Sequence, residues 1–146
     1  MRRAVRAIVF RGNDMLVMKR NKFGREYFTL PGGGIAIGES PEAALRRELS
    51  EETSMQLGNF RLVFVEDAGE PYGVQYIFLA DYAGGEPQLS PTSDEAEISA
   101  LGKNLYLPMW LSIHELEGSS FVSERLKQAI LSSVKQGFPD KVIDIS

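Results

Sequence analysis

The chain has 146 residues, 43% of them hydrophobic and 25% charged, with a formal net charge of −4. That length supports a single domain over residues 1–146 with a core of its own, and the composition is that of an ordinary globular protein. The acidic balance and a pI near 5.1 argue against a general binder of long nucleic acid or membrane surface; the absence of cysteine excludes disulfides and thiolate zinc sites, which suits a cytoplasmic location.

The first residues, MRRAVRAIVF, carry positive charge but too few apolar residues before Arg11 for a signal peptide. No apolar run approaches membrane-spanning length, and there is no internal repeat or low-complexity segment. Ala4–Phe10 is an almost continuous apolar and β-branched run, and Leu16–Met18 follows after Gly12-Asn13-Asp14. The two read as strands joined in a hairpin. Residues 19–26, KRNKFGRE, read as a polar loop bearing Lys19, Arg20, Lys22 and Arg25. Tyr27–Leu30 is a short strand that delivers the chain to Pro31 and the glycines Gly32, Gly33 and Gly34.

A helix begins at Ser40-Pro41, since a Ser side chain caps free N–H groups and Pro suits the first helical position. Ala43, Ala44, Leu45 and Leu49 give it a partial apolar face. Glu48, Glu51 and Glu52 share a narrow sector at i, i+3 and i+4. Three like charges so close repel, and a structural helix gains nothing from them. A hard divalent cation reverses that balance, because Mg²⁺ takes carboxylate oxygens while keeping waters and substrate phosphates. Arg47 stands beside Glu48 and four residues before Glu51, placed to hold one acid while the others bind metal. The glycines upstream let backbone approach a ligand closely. The plain alternative is an acidic, solvated helix face after a glycine turn.

Gly33, five residues, Glu39, seven residues, then Arg47-Glu48-Leu49-Ser50-Glu51-Glu52-Thr53-Ser54-Met55 resembles the signature box of the Nudix hydrolases, the MutT-like family. The box spans 23 residues and departs from the family pattern at one fixed position, where Ser54 stands in place of glycine. A glycine there lets the helix end in a left-handed conformation, which costs a Ser roughly 1–2 kcal/mol. The resemblance implies a mixed α/β chain folded as an α/β/α sandwich. It also implies Mg²⁺-dependent attack of water on the diphosphate bridge of a nucleoside diphosphate linked to another group X, with Mn²⁺ able to substitute. Glu51 and Glu52 are then metal ligands, Glu48 a ligand or the general base, and the Gly32 carbonyl a further metal contact. Arg47 and Glu39 hold these acids in place. Arg20 and Arg25 become candidate contacts for substrate phosphates, with a solvated basic loop as the alternative.

Phe60–Glu66 and Val74–Tyr82 are strand-like, with turn chemistry over Ala68–Gly73 between them. Pro71 lies sixteen residues beyond Met55, a distance that the family associates with ADP-ribose hydrolysis, although Pro is common in turns. Tyr72, Tyr76 and Phe78 have rings able to stack on a base, Tyr76 being the candidate chosen, and strand aromatics also serve as core. Residues 84–103 form a long connection made acidic by Asp94, Glu95 and Glu97. Some family members take a metal ligand or general base from such a loop, and Glu97 is the candidate here. Asn104–Leu111 reads as a strand whose Pro108 marks an edge or a break, with Trp110 as core. Ser112–Glu117 reads as a helical turn holding His114, the only histidine, as a surface residue. Val122, Leu126, Ala129, Ile130 and Val134 make the stripe of a last helix ended by Gly137 and Pro139.

The reaction class follows from the box, whereas the loops at 19–26, 68–73 and 84–103 would set the substrate among modified (d)NTPs, ADP-ribose, dinucleoside polyphosphates and an RNA cap. The cap is disfavoured by the lack of a basic stripe. The rival class is a non-catalytic module that binds a nucleotide or a protein. Such a module is expected to lose box acids, and none is lost. A homodimer is common among relatives and is demanded by nothing in this sequence.

Overall fold

The computed structural model describes residues 2–90, 102 and 104–146. Strand β1 (Arg3–Arg11) is the axis of the sheet. It turns at Gly12-Asn13 into β2 (Asp14–Lys22), with Phe10 opposite Met15 and Arg11 opposite Asp14, the hairpin expected from the sequence. Over its first residues β1 also pairs antiparallel with β4 (Gly32–Gly34), setting Val5 opposite Gly33. Along most of its length it runs parallel to β6 (Val74–Tyr82). Outside β6 lie β5 (Leu57–Asp67), antiparallel to it, and β8 (Ile143–Asp144), a short strand that the C-terminal tail adds parallel to β5.

The expected polar loop at 19–26 is instead sheet. β2 continues through Lys22, turns at Phe23-Gly24, and returns as β3 (Arg25–Thr29) with Lys22 opposite Arg25. Both turn residues take left-handed φ values, +53° at Phe23 and +93° at Gly24. A two-residue turn of that hand usually announces itself as Asn-Gly, and Phe-Gly does not. The basic residues belong to a strand covered on both edges, because β7 (Asn104–Ser112) pairs with the other side of β2. Among the described residues β7 pairs with β2 alone, so Pro108 sits in an edge strand that needs no donor there.

Alternation along β1 builds two cores. Val5, Ala7 and Val9 meet Ala44, Leu45 and Leu49 of helix α1 (Pro41–Thr53) on one face. Ile8 meets Leu126 and Ile130 of α3 (Glu124–Gln136) on the other. The result is the sheet with helices on both faces that the resemblance implied. Between β7 and α3 lies the turn α2 (Ile113–Leu116), on which His114 is exposed. Trp110 packs edge-on to Tyr82 at the margin of the α1 core, at 5.4 Å between ring centres. The stripe of α3 drifts. Leu126 and Ile130 are buried but Val134 is 45% exposed, because each four-residue step advances about 40° around the helix.

Helix α1 starts where its cap is: the Ala43 N–H donates to Ser40 Oγ at 3.1 Å. It ends at Ser54, which takes the left-handed conformation (φ +57°, ψ +17°) while its N–H donates to the Ser50 carbonyl at 3.0 Å. The exit is the one a glycine would make, built with an exposed serine that bears the conformational cost. Ser54→Gly should therefore raise Tm by about 3 °C, corresponding to roughly 1 kcal/mol. Thermal unfolding followed by circular dichroism checks this, and a lower Tm would mean that the Ser54 side chain stabilises the exit.

Candidate functional site

A cavity of about 500 Å³ opens on the α3 face where the glycine strand meets α1. Of the three helix acids Glu48, Glu51 and Glu52, two reach it. Glu48 and Glu52 are 7% and 5% exposed, and both line its wall together with Gly32, Gly33 and Gly34. The Gly32 N–H donates to Glu52 Oε2 at 2.9 Å. Gly33 lies so near Glu48 that a Cβ there would fall 2.4 Å from its Oε2. The glycine is thus required by close approach, since a methyl group would occupy the space of the carboxylate.

Arg47 organises the acids from outside the cavity. Its guanidinium donates through Nε to Glu39 Oε2 and through Nη2 to Glu39 Oε1, both at 2.8 Å, a bidentate pairing. It also donates to Glu48 Oε1 at 2.8 Å and to the Gly34 carbonyl at 3.0 Å, and it approaches Glu51 Oε2 at 3.6 Å. One residue thereby fixes the helix, the glycine strand and the loop at Glu39. Hydrogen bonds from Arg47 and from the Ala36 N–H hold the Glu39 carboxyl down at about 2, and the Glu39 pairing raises Arg47 in turn.

The remaining site candidates divide. Arg20 and Arg25 line the cavity, Arg20 held over the Tyr106 ring at 3.7 Å and bonded to Asn104 Oδ1 at 2.5 Å. Pro71 and Tyr72 line it as well. Glu51 is not among the lining residues; it stands on the Arg47 side, its side chain 43% exposed. Tyr76 does not line the cavity either, because alternation along β6 turns it to the α1 face, where it packs against the core. Glu97, with Asp94 and Glu95, lies outside the described residues.

Among the lining residues that local sequence patterns do not mark are Arg6, Glu66 and Arg125. Arg6, in the apolar run of β1, donates to Gln75 Oε1 at 3.0 Å and to the Leu30 carbonyl at 3.2 Å. Burial lowers its pKa, with Glu52 and Glu48 pulling the other way. Glu66 is 2% exposed, receives the Ser123 hydroxyl at 2.6 Å and pairs with Arg125 at 3.3 Å. Arg125 comes from the first turn of α3. A strand-borne charge inside an apolar run was the available signal for Arg6. Glu66 sits at the polar end of its strand pattern and gave none.

As a whole the cavity is cationic: Arg2, Arg6, Arg20, Lys22, Arg25 and Arg125 line it against Glu48, Glu52 and Glu66. A protein of net charge −4 has gathered positive charge in one place, which is the field that draws a polyanion. Among the described residues no three His, Cys, Asp or Glu side chains form a ready-made metal cluster. Two cavity-facing carboxylates still fit a hard divalent cation, which commonly takes one or two protein oxygens and completes its shell with water and phosphate.

A NUDIX-domain family model matches residues 1–130. The chain belongs to the NUDIX family. Members of this family generally use divalent metal ions. The NAD-capped RNA hydrolase NudC of Pectobacterium atrosepticum is 32% identical over 81 residues, 56% of this chain and 31% of that protein. The 8-oxo-dGDP phosphatase NUDT18 of Danio rerio is 31% identical over 116 residues, 77% of this chain and 35% of that one. The chain thus spans about a third of the length of these curated relatives. Among solved structures, a MutT protein from work on Aliivibrio salmonicida and Vibrio cholerae is similar with a TM-score of 0.67 at 19% identity, covering 90% of this chain and 96% of that one. That likeness is one of fold. No described helix is long and apolar enough to cross a membrane.

Two outcomes follow from this NUDIX geometry. Gly33→Ala should push Glu48 from its buried place and its Arg47 bond, lowering Tm by about 3 °C, while calorimetric affinity for a divalent cation falls about tenfold. Unchanged affinity would mean that Glu48 holds no cation. The depressed Glu39 carboxyl contributes stability that is present above its ordinary value of 4.5 and lost as pH falls toward about 2. The Tm gap between wild type and Glu39→Gln should accordingly be full at pH 7 and close below pH 4.5. A gap that persists at pH 2 would contradict the pairing.

Proposed function

We propose that this chain, acting as one domain over residues 1–146, is a hydrolase of phosphoric anhydride bonds that cleaves the diphosphate bridge of a nucleoside diphosphate linked to X. The observation that carries the reading is the meeting of Glu48 and Glu52 with a ring of cations in one cavity under the glycine strand. A diphosphate bridge repels water as a nucleophile because it is polyanionic. Arg6, Arg20 and Arg25 are placed to bind that charge, and Arg47 positions Glu48 through a direct hydrogen bond.

Mg²⁺ is the proposed ion, with Mn²⁺ a substitute; Glu48 and Glu52 would hold it, Glu51 and the Gly32 carbonyl completing the protein donors as it binds. When bound, the ion neutralises phosphate charge and lowers the pKa of its water. Glu97 is the proposed further ligand or base from the 84–103 connection. The chemistry named for NudC and NUDT18 supports including NAD and 8-oxo-dGDP beside ADP-ribose, dNTPs and a nucleotide sugar in the first panel. A small nucleotide substrate and an absence of disulfide chemistry suit a cytoplasmic enzyme.

Glu52→Gln keeps an oxygen for the Gly32 N–H and removes the charge. Turnover of the best panel substrate, with products read by mass, should fall at least about a hundredfold while Tm holds. Retained turnover would sink the metal assignment. Tight metal-dependent binding with no turnover in the wild type would favour a binding module instead.

A further inference from the structure

The sheet order β3-β2-β1-β6-β5 spreads the cavity across five strands and gives it two unlike ends. Arg20, Lys22 and Arg25 stand at the β2–β3 end, Glu48 and Glu52 face the middle, and Glu66 with Gln75 stands at the β6–β5 end. The first end is cationic. The second contains an acceptor that the proposed reaction does not use.

Glu66 and Gln75 are directly opposed across β5 and β6. The Ser123 hydroxyl and the Arg125 guanidinium both meet Glu66 at Oε2. Ser123 is itself fixed, because its Oγ accepts the Leu126 N–H at 3.1 Å as the cap of α3. The carboxylate is therefore held in one orientation, with Oε1 taking no hydrogen bond from the described residues. Beside Ser123 and Arg125, the lining near it takes apolar residues, with Pro71 and Tyr72 from the β5–β6 turn and Val122 and Leu126 from the α3 side. A carboxylate oxygen among apolar lining residues suits a heterocycle presenting an N–H donor, and it disfavours one that presents only acceptors.

Resting on the hydrolase reading above, we infer that Glu66 is a specificity-determining residue that reads an amino or imino N–H of the substrate's nucleobase at the β6–β5 end of the cavity. The bridge then lies over Glu48 and Glu52, and X extends toward Arg20 and Arg25. Glu66 takes no part in bond breaking.

The test is calorimetric binding of nucleoside monophosphates, which needs no turnover. The probes are AMP, GMP and purine riboside 5′-monophosphate, whose ring system carries no N–H group. Wild type should bind AMP or GMP about tenfold more tightly than the purine riboside compound, the value of one hydrogen bond to a charged acceptor. Glu66→Gln should bring that ratio to about threefold or less. Equal binding of all three by wild type, or an equal loss for all three in Glu66→Gln, would overturn the inference. If Glu66→Gln does not fold by circular dichroism, Ser123→Ala keeps the carboxylate but removes the hydroxyl that orients it, and an unchanged ratio there would overturn it as well. Discrimination without hydrolysis would sink the hydrolase reading alone. Hydrolysis without discrimination would sink the Glu66 assignment alone.

Discussion

The contact on which the rest of this molecule depends is the docking of two helix carboxylates onto glycine backbone. Glu52 takes the Gly32 N–H, and Glu48 occupies the volume that any side chain at residue 33 would need. These contacts fix α1 against β4, and β4 is fixed against β1 by pairing at Ala4–Arg6. Leu45 and Leu49 on the same helix bury fully against the sheet, contributing roughly 2 kcal/mol each. Apolar burial holds the helix down, and the two acids determine its position along the strand. The same oxygens are the ones proposed to bind metal, so α1 is seated by its functional groups and not merely near them.

That seating has an electrostatic cost, and Arg47 together with the cavity cations offsets it. Two carboxylates over 90% buried on one helix destabilise each other unless positive charge or N–H groups face them. Arg47 faces Glu48 from outside the cavity and Arg6 acts on both acids from within it. The excess of lining cations over acids gives the cavity a sign opposite to that of the whole chain. Such a field raises the local concentration of an anionic ligand, and a bound divalent ion would strengthen it.

What could be read from the sequence was what local chemistry determines. Ser40 and Pro41 start α1, and of the edge or break that Pro108 signals the structure has the edge; of the three acids read as sharing one sector, Glu48 and Glu52 reach the cavity while Glu51 stands on the Arg47 side. Local rules failed where neighbours decide. Residues 19–26 form strand because β3 and β7 flank them, and the Phe23-Gly24 turn lacks the usual residues. The Tyr76 ring is of the kind that stacks on a base, but strand parity turns it to the α1 core while its neighbour Gln75 faces the cavity. Parity can be read only once a register is known, and the register of β6 is set by its parallel pairing with β1, which lies some seventy residues earlier in the chain. Glu66 is similarly placed by β6 and α3 together.

The two ends of the cavity are not independent, and the reason lies in one half-buried arginine. Arg6 on β1 donates to the Leu30 carbonyl, two residues before the glycine strand, and to Gln75 on β6. Gln75 passes the connection on by donating to the Tyr72 carbonyl at 2.8 Å. A continuous line of hydrogen bonds thus joins the segment entering the glycine strand to the turn that walls the far end. Burying a guanidinium without a counter-charge is costly, and here Glu52 and Glu48 supply it. Side chains tied to one another in this way hold their charges in place, and fixed charges act on a bound anion with little reorganisation.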